Sequence, residues 1–201
     1  MLPKLQYISQ GATAQQQLEH IRKVLDIGCI WVQVRFKNQE EHAVLDLAEK
    51  VRLLCDRYGA LLIVNDHVAI AKAIAADGVH LGLSDTAIAV ARDALGVEKI
   101  IGGTANTLED VRRRITEGCD YIGLGPYRFT TTKEKLSPVL GLEGYRQLLS
   151  ALNEEEQRVP VYAIGGILKE DIAPLLKVGV YGIAASGLLI QTPERVESIM
   201  Q

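Results

Sequence analysis

Lys99-Ile-Ile-Gly-Gly-Thr-Ala-Asn-Thr107-Leu-Glu-Asp110-Val-Arg-Arg-Arg-Ile-Thr-Glu-Gly118-Cys-Asp120-Tyr-Ile-Gly-Leu-Gly125 contains one complete strand–helix–strand unit. Lys99–Ala105 is a short apolar run of strand length. Thr107, followed by Glu109 and Asp110, opens a helix with acid near its N-terminus, where the helix dipole favours it. Asp120–Gly125 is the next strand. Similar runs stand at Leu5–Ser9, Cys29–Arg35, Leu61–Asn65, Gly78–Gly82, Val159–Gly165 and Gly182–Ser186, which makes eight in all. Helical periodicity fills the segments between them: Ala43, Leu47, Val51 and Leu54 form one stripe, with Glu40, Glu41, Lys50 and Arg52 expected on the surface. Parallel strands joined by helical crossovers follow from this alternation. Eight units in 201 residues predict a single-domain α/β fold over residues 1–201, a closed (β/α)8 TIM barrel. No G-x-G-x-x-G follows the first strand, which argues against a doubly wound open sheet.

Composition excludes several classes. The formal net charge of −3 argues against a nucleic-acid partner, which selects for a basic surface. No apolar run approaches the ~18–20 residues of a membrane span. Met1–Gln10 lacks the charge and apolar pattern of a signal peptide. Cys29, Cys55 and Cys119 are widely spaced, as in a chain from a reducing compartment. A cytoplasmic location is the expectation.

In a βα barrel the active site lies at the C-terminal ends of the strands. Period two puts Trp31, Gln33 and Arg35 on one face of the second strand, pointing into the barrel, and Val32 and Val34 on the other. A buried guanidinium needs a carboxylate or an anionic ligand, and Lys37 adds a second cation. Asn65-Asp66 ends the third strand and Asp85 follows the fourth. Two carboxylates at one mouth repel unless a cation sits between them or the neighbouring Arg35 and Lys37 compensate; a metal is the better account, because one or two carboxylates completed by substrate phosphate is how Mg²⁺ is usually held. Asp85 has an alternative role as a cap for a helix over Thr86–Leu95. Thr104 ends the fifth strand beside two glycines that permit close approach. After the sixth strand, Pro126–Gly141 is too long for an ordinary βα loop. Its Thr130, Thr131, Thr132 and Lys133 form a phosphate-binding mixture, with charge added by Arg128 and Lys135. Gly166 and the Ala185–Ser186 turn end strands seven and eight, a frequent phosphate site in this fold, and Pro193 suits the first turn of a last helix. The histidines form no metal-spaced cluster. His80 is expected as a satisfied core residue or an inward-facing one, His67 at a helix start, and His20 and His42 on the surface.

In this order and spacing, Gln33-Val-Arg35-Phe-Lys37, Asn65-Asp66, Asp77-Gly-Val-His-Leu-Gly82 with Asp85, Gly123-Leu-Gly-Pro126, Thr130-Thr-Thr132-Lys133, Ala163-Ile-Gly-Gly-Ile167 and Ser186 resemble the thiamine phosphate synthase family from Leu5 to about Leu189. The resemblance implies an Mg²⁺-dependent transferase that joins hydroxymethylpyrimidine diphosphate to hydroxyethylthiazole phosphate and releases diphosphate. It places Gln33, Val34, Arg35, Phe36, Lys37, Asn65, Thr104 and Lys133 at the pyrimidine diphosphate. Arg35, Lys37 and Lys133 would be the catalytic cations. Thr130, Thr131, Thr132, Gly166, Ala185 and Ser186 fall at the thiazole phosphate, and Asp66 and Asp85 at the metal. A homo-oligomer is implied by analogy with other barrels. The chain departs from the family's pattern at Leu83, often Gln, at Asn106, often His, and at Tyr127-Arg128-Phe129, which lacks the usual Pro. Gly182–Ser186 is one residue short. The rival readings are a thiazole tautomerase, another phosphate-handling barrel isomerase and a non-catalytic barrel that binds thiamine precursors.

Overall fold

Parallel pairing runs unbroken from the first strand to the eighth and back to the first, so the sheet closes into a barrel. The computed structural model describes residues 1–129 and 138–191. The strands are β1 (Leu5–Ile8), β2 (Trp31–Val34), β3 (Leu61–Asn65), β4 (Gly78–Leu81), β5 (Ile100–Ala105), β6 (Tyr121–Leu124), β7 (Val161–Ile164) and β8 (Gly182–Ala185). Closure is made by Leu5, Gln6 and Tyr7 of β1 against Ile183, Ala184 and Ala185 of β8. The helices are α1 (Ala14–Asp26), α2 (Glu41–Tyr58), α3 (Val68–Ala73), α4 (Ile88–Leu95), α5 (Leu108–Thr116), α6 (Gly141–Ser150), α7 (Lys169–Lys177) and α8 (Gly187–Gln191). A short 3₁₀ turn at Glu156–Arg158 precedes β7. All eight expected strands are present, most of them trimmed by a residue or two at their ends, where pairing frays.

Helix α5 begins as its sequence directs. Thr107 accepts a hydrogen bond from the Asp110 N–H while the Asp110 carboxylate accepts from the Thr107 N–H, a reciprocal capping box. In α2 the buried stripe is Val44, Leu47, Ala48, Val51, Leu54 and Cys55, with Ala43 at its edge. Arg52 corrects the expectation of a surface residue. It is mostly buried and reaches Asp77 at 2.7 Å and Asp56 at 2.6 Å, tying α2 to the start of β4. Burial pushes the thiol of Cys29 up to about 11 and those of Cys55 and Cys119 to about 12, so all three are poor thiolates.

Period two divides each strand between two cores. Outward side chains such as Val32, Val34, Leu62 and Val64 pack under the helices in one continuous cluster. Inward, Trp31, Ile63, Tyr121, Tyr162 and Ala184 fill the barrel. Three aromatic rings meet edge to face: Trp31 lies 5.0 Å from both Tyr121 and Tyr162, and those two are 5.6 Å apart. Such bulk leaves no room on the neighbouring strands. A Cβ at Gly102 would stand 2.1 Å from the Tyr121 ring, and one at Gly182 would stand 2.6 Å from Tyr162.

Candidate active site

Toward the C-terminal ends of the strands the barrel interior changes from aromatic to polar. Gln6, Gln33, Asn65, His80 and Thr104 are all buried there. A cavity of about 360 Å³ opens beside them, lined on one side by Gln33, Arg35, Asn65, His80 and Thr104. Gly165, Gly166, Ala185 and Ser186 line it from β7 and β8.

Arg35 is held by its backbone. Its N–H donates to Ser9 Oγ at 2.9 Å, Ser9 donates to Gln17 Oε1 at 2.5 Å, and Gln17 Nε2 returns to the Arg35 carbonyl at 3.1 Å. Neither Ser9 nor Gln17 was legible as a site residue, because their signal is a contact between α1 and the end of β2. Burial lowers the affinity of the Arg35 guanidinium for its proton, and the Asp66 charge opposes that. Val34 and Phe36, expected near the diphosphate, turn their side chains into the core beneath the helices and do not line the cavity. Alternation along the strand forces this, since Gln33 and Arg35 occupy the inward face.

Lys37, Asp66 and Asp85 stand together at the rim. Lys37 Nζ is 2.5 Å from Asp66, and the two carboxylates lie within hydrogen-bonding distance of each other. Burial, then the neighbouring carboxylate, raises the pKa of Asp66 against the pull of Lys37. Burial also acts to raise Asp85, but the bond from Asp66, the Gly82 N–H and the charge of Lys37 outweigh it and hold Asp85 below the usual range. The two carboxylates are thus pushed in opposite directions, Asp66 up and Asp85 down. Asp66 adopts a left-handed backbone, with φ of 66°, an uncommon state for a residue other than glycine. Asp85 does not cap α4. Its Oδ2 accepts from Gly82 N–H at 2.6 Å, while α4 starts after Ala87 without a side-chain cap. A Cβ at Gly82 would approach Asp85 Oδ2 to 2.8 Å, so a side chain there would displace that carboxylate.

Arg114 was not singled out from the sequence. It is buried on α5, donates to the carbonyls of Thr104 at 3.1 Å and Gly82 at 2.7 Å, and pairs with Glu117 at 2.7 Å. One guanidinium thus fixes the ends of β4 and β5 from behind. His80 faces inward and is satisfied, 3.0 Å from both Tyr121 Oη and Thr104 Oγ1. It lines the cavity, so one histidine belongs to the site after all. His67 precedes α3 as expected.

On the other wall Gly166 has a φ of 69°, and a Cβ would come within 2.9 Å of Arg128. Ser186 Oγ is buried with no hydrogen-bond partner among the described residues. Arg128 corrects the reading of a loop cation. It grips Asp171 through two bonds of 2.6 and 3.0 Å and the Gly166 carbonyl at 2.6 Å. Its charge fastens the β6 loop to α7. Asn106 Nδ2 donates to the Gly125 carbonyl, and Leu83 is exposed. Thr130, Thr131, Thr132, Lys133, Lys135 and Pro193 lie outside the described residues.

A barrel with a polar cavity at its C-terminal mouth, flanked by cations and a carboxylate pair, defines an enzyme that handles small anionic substrates. Residues 5–189 match the family model described as thiamine monophosphate synthase. The thiamine-phosphate synthase of Flavobacterium johnsoniae is 55% identical over 201 residues, covering 100% of this chain and 95% of that protein. The Bacteroides fragilis protein of the same name is 49% identical, covering 96% of this chain and 95% of its own length. Thiamine phosphate pyrophosphorylase from Pyrococcus furiosus superposes with a TM-score of 0.82 at 32% identity, covering 98% of this chain and 95% of the other. The chain belongs to the thiamine monophosphate synthase family, and with that membership comes a thiamine-phosphate synthase function, a transferase in thiamine biosynthesis. Among the described residues no helix is long and apolar enough to cross a membrane.

Proposed function

We propose that the cavity takes hydroxymethylpyrimidine diphosphate against Arg35, Lys37, Asn65 and Thr104, and hydroxyethylthiazole phosphate against Gly166, Ala185 and Ser186. The observation that carries the reading is the unpartnered Ser186 hydroxyl, buried in the same cavity that Arg35 lines. A buried hydroxyl left unpaired costs ~1–3 kcal/mol, which a phosphate oxygen would recover. The C–O bond to diphosphate breaks with its electron pair leaving on oxygen. The thiazole nitrogen lone pair then forms the new C–N bond to the pyrimidine methyl cation. Charge gathers on the departing diphosphate, where Arg35 and Lys37, joined by Lys133 from the β6 loop, stabilise it. No proton needs to move and no covalent nucleophile is required.

The Asp66–Asp85 pair fits Mg²⁺ by its donors: hard carboxylate oxygens within hydrogen-bonding distance of each other at the cavity rim. Bound there, the ion would supply further positive charge beside the diphosphate. Free, buried cysteines support a cytoplasmic location, and a homo-oligomer is part of the proposal, to be checked by light scattering. The test of function is diphosphate release by the purified protein, omitting Mg²⁺ and each substrate in turn. Release that needs all three, with thiamine phosphate formed in step, is expected. Release without the thiazole phosphate, or none with everything present, would overturn the reading.

A further inference from the structure

A chain of hydrogen bonds crosses the barrel beneath the cavity. Gln33 Nε2 donates to Gln6 Oε1 at 3.1 Å, and Gln6 Nε2 donates to Tyr121 Oη at 3.3 Å. Tyr121 Oη, already accepting, gives its own proton to His80 Nδ1 at 3.0 Å. That fixes the imidazole as the Nε2–H tautomer, which donates to Thr104 Oγ1 at 3.0 Å. The Thr104 hydroxyl proton then points onward, and Gln33 retains its carbonyl oxygen as an acceptor. Both ends of the chain line the cavity, whereas Tyr121 and Gln6 do not.

We propose that Tyr121 and His80 couple the two ends of this chain, so that Gln33 and Thr104 always present opposite polarity to the ring between them. Reversing either end means turning both buried carboxamides over and moving the imidazole proton, so the polarity of the two ends is held as a unit. A site wired this way selects a heteroaromatic ring that offers an acceptor toward Thr104 and a donor toward Gln33, as an aminopyrimidine does. It rejects a ring in which an oxo group replaces the amine, because the ring N–H would then meet the Thr104 donor and the oxo oxygen the Gln33 carbonyl. The inference rests on the reading that Gln33 and Thr104 meet the pyrimidine. Tyr121 is a positioning residue in it, fully buried and acting only through His80 and Gln6.

Tyr121→Phe keeps the ring and its edge-to-face packing and cuts the chain at one oxygen. The assay compares kcat/KM for hydroxymethylpyrimidine diphosphate and for its 4-oxo analogue, with KM for the thiazole phosphate as an internal control. The expected result is an about tenfold loss of discrimination between the pyrimidines, with the thiazole KM unchanged. His80→Asn, which breaks the same chain one link further on, is the second variant should Tyr121→Phe fold poorly, and the same loss is expected. Discrimination kept in these variants but lost in Thr104→Ala would refute the coupling and leave the pyrimidine reading standing. Discrimination kept in Thr104→Ala and Gln33→Leu as well would sink both. An equal rise in both KM values would show a merely structural role and would also overturn the inference.

Discussion

Gly102→Ala adds one methyl group to the most crowded point of the barrel. The new Cβ would stand 2.1 Å from Cζ and 2.3 Å from Cε1 of Tyr121, where carbon atoms normally rest about 3.5–4.0 Å apart. The ring cannot swing away. Trp31 and Tyr162 flank it at 5.0 and 5.6 Å, and Gln6 and His80 hold its hydroxyl. Relief of well over 1 Å therefore has to come from β5 or from the whole aromatic cluster. Overpacking of this kind costs about 3 kcal/mol, the upper end of the usual range. For a domain of this size that is a fall in Tm of roughly 6–12 °C. Scanning calorimetry measures it, and near-UV circular dichroism reports whether the Trp31–Tyr121 environment has changed. Gly28→Ala is the control: its φ of 95° strains any side chain, but nothing lies within 4 Å of the added Cβ. If Gly102→Ala melts no lower than Gly28→Ala, the close-packed aromatic layer is not what excludes a side chain at this position.

Other expectations follow from the site. Asp66→Asn should weaken activity and shift the Mg²⁺ titration to higher concentration together, and an unmoved titration curve would contradict the metal assignment. Lys133→Ala should abolish most turnover, since it removes a cation from the proposed diphosphate site; near-normal kcat would contradict its role. Ser186→Ala should raise KM for the thiazole phosphate about three- to tenfold while leaving the free protein as stable or slightly more so, because the lost hydroxyl has no protein partner; a drop in Tm would show that it has one. Burial raises Asp171, but Arg128 and the Leu168 N–H outweigh it and hold its pKa below the ordinary 3.8. Its contribution is present above that value and lost as pH falls through the lower folded value, so Asp171→Asn should flatten the acid limb of a stability–pH curve and leave the neutral limb parallel.

The barrel was legible because each βα unit is local: a strand-length apolar run, a capped amphipathic helix and a further run, all within about thirty residues of chain. The rim was legible for a similar reason, since Arg35, Lys37, Asp66 and Asp85 all fall at strand ends, where charge has no packing role. Partners far apart in sequence were not. Gln6 and Tyr121 meet across 115 positions and His80 and Tyr121 across 41, and each residue alone reads as ordinary core. Arg114 sits in a run of three arginines that looks like a solvated helix face. Its burial follows from a gap behind β5, where Gly103 has no side chain and a Cβ would meet Arg114 Cδ at 2.7 Å. Arg128 misled for the opposite reason: its loop position suggested a ligand, while the carboxylate that claims it lies 43 residues on.

The Trp31, Tyr121 and Tyr162 rings seal one end of the barrel, which turns the space above them into a cul-de-sac. Ligands then approach from the mouth that the strand ends line, so on the proposed reading both substrates and the product share one side of the barrel.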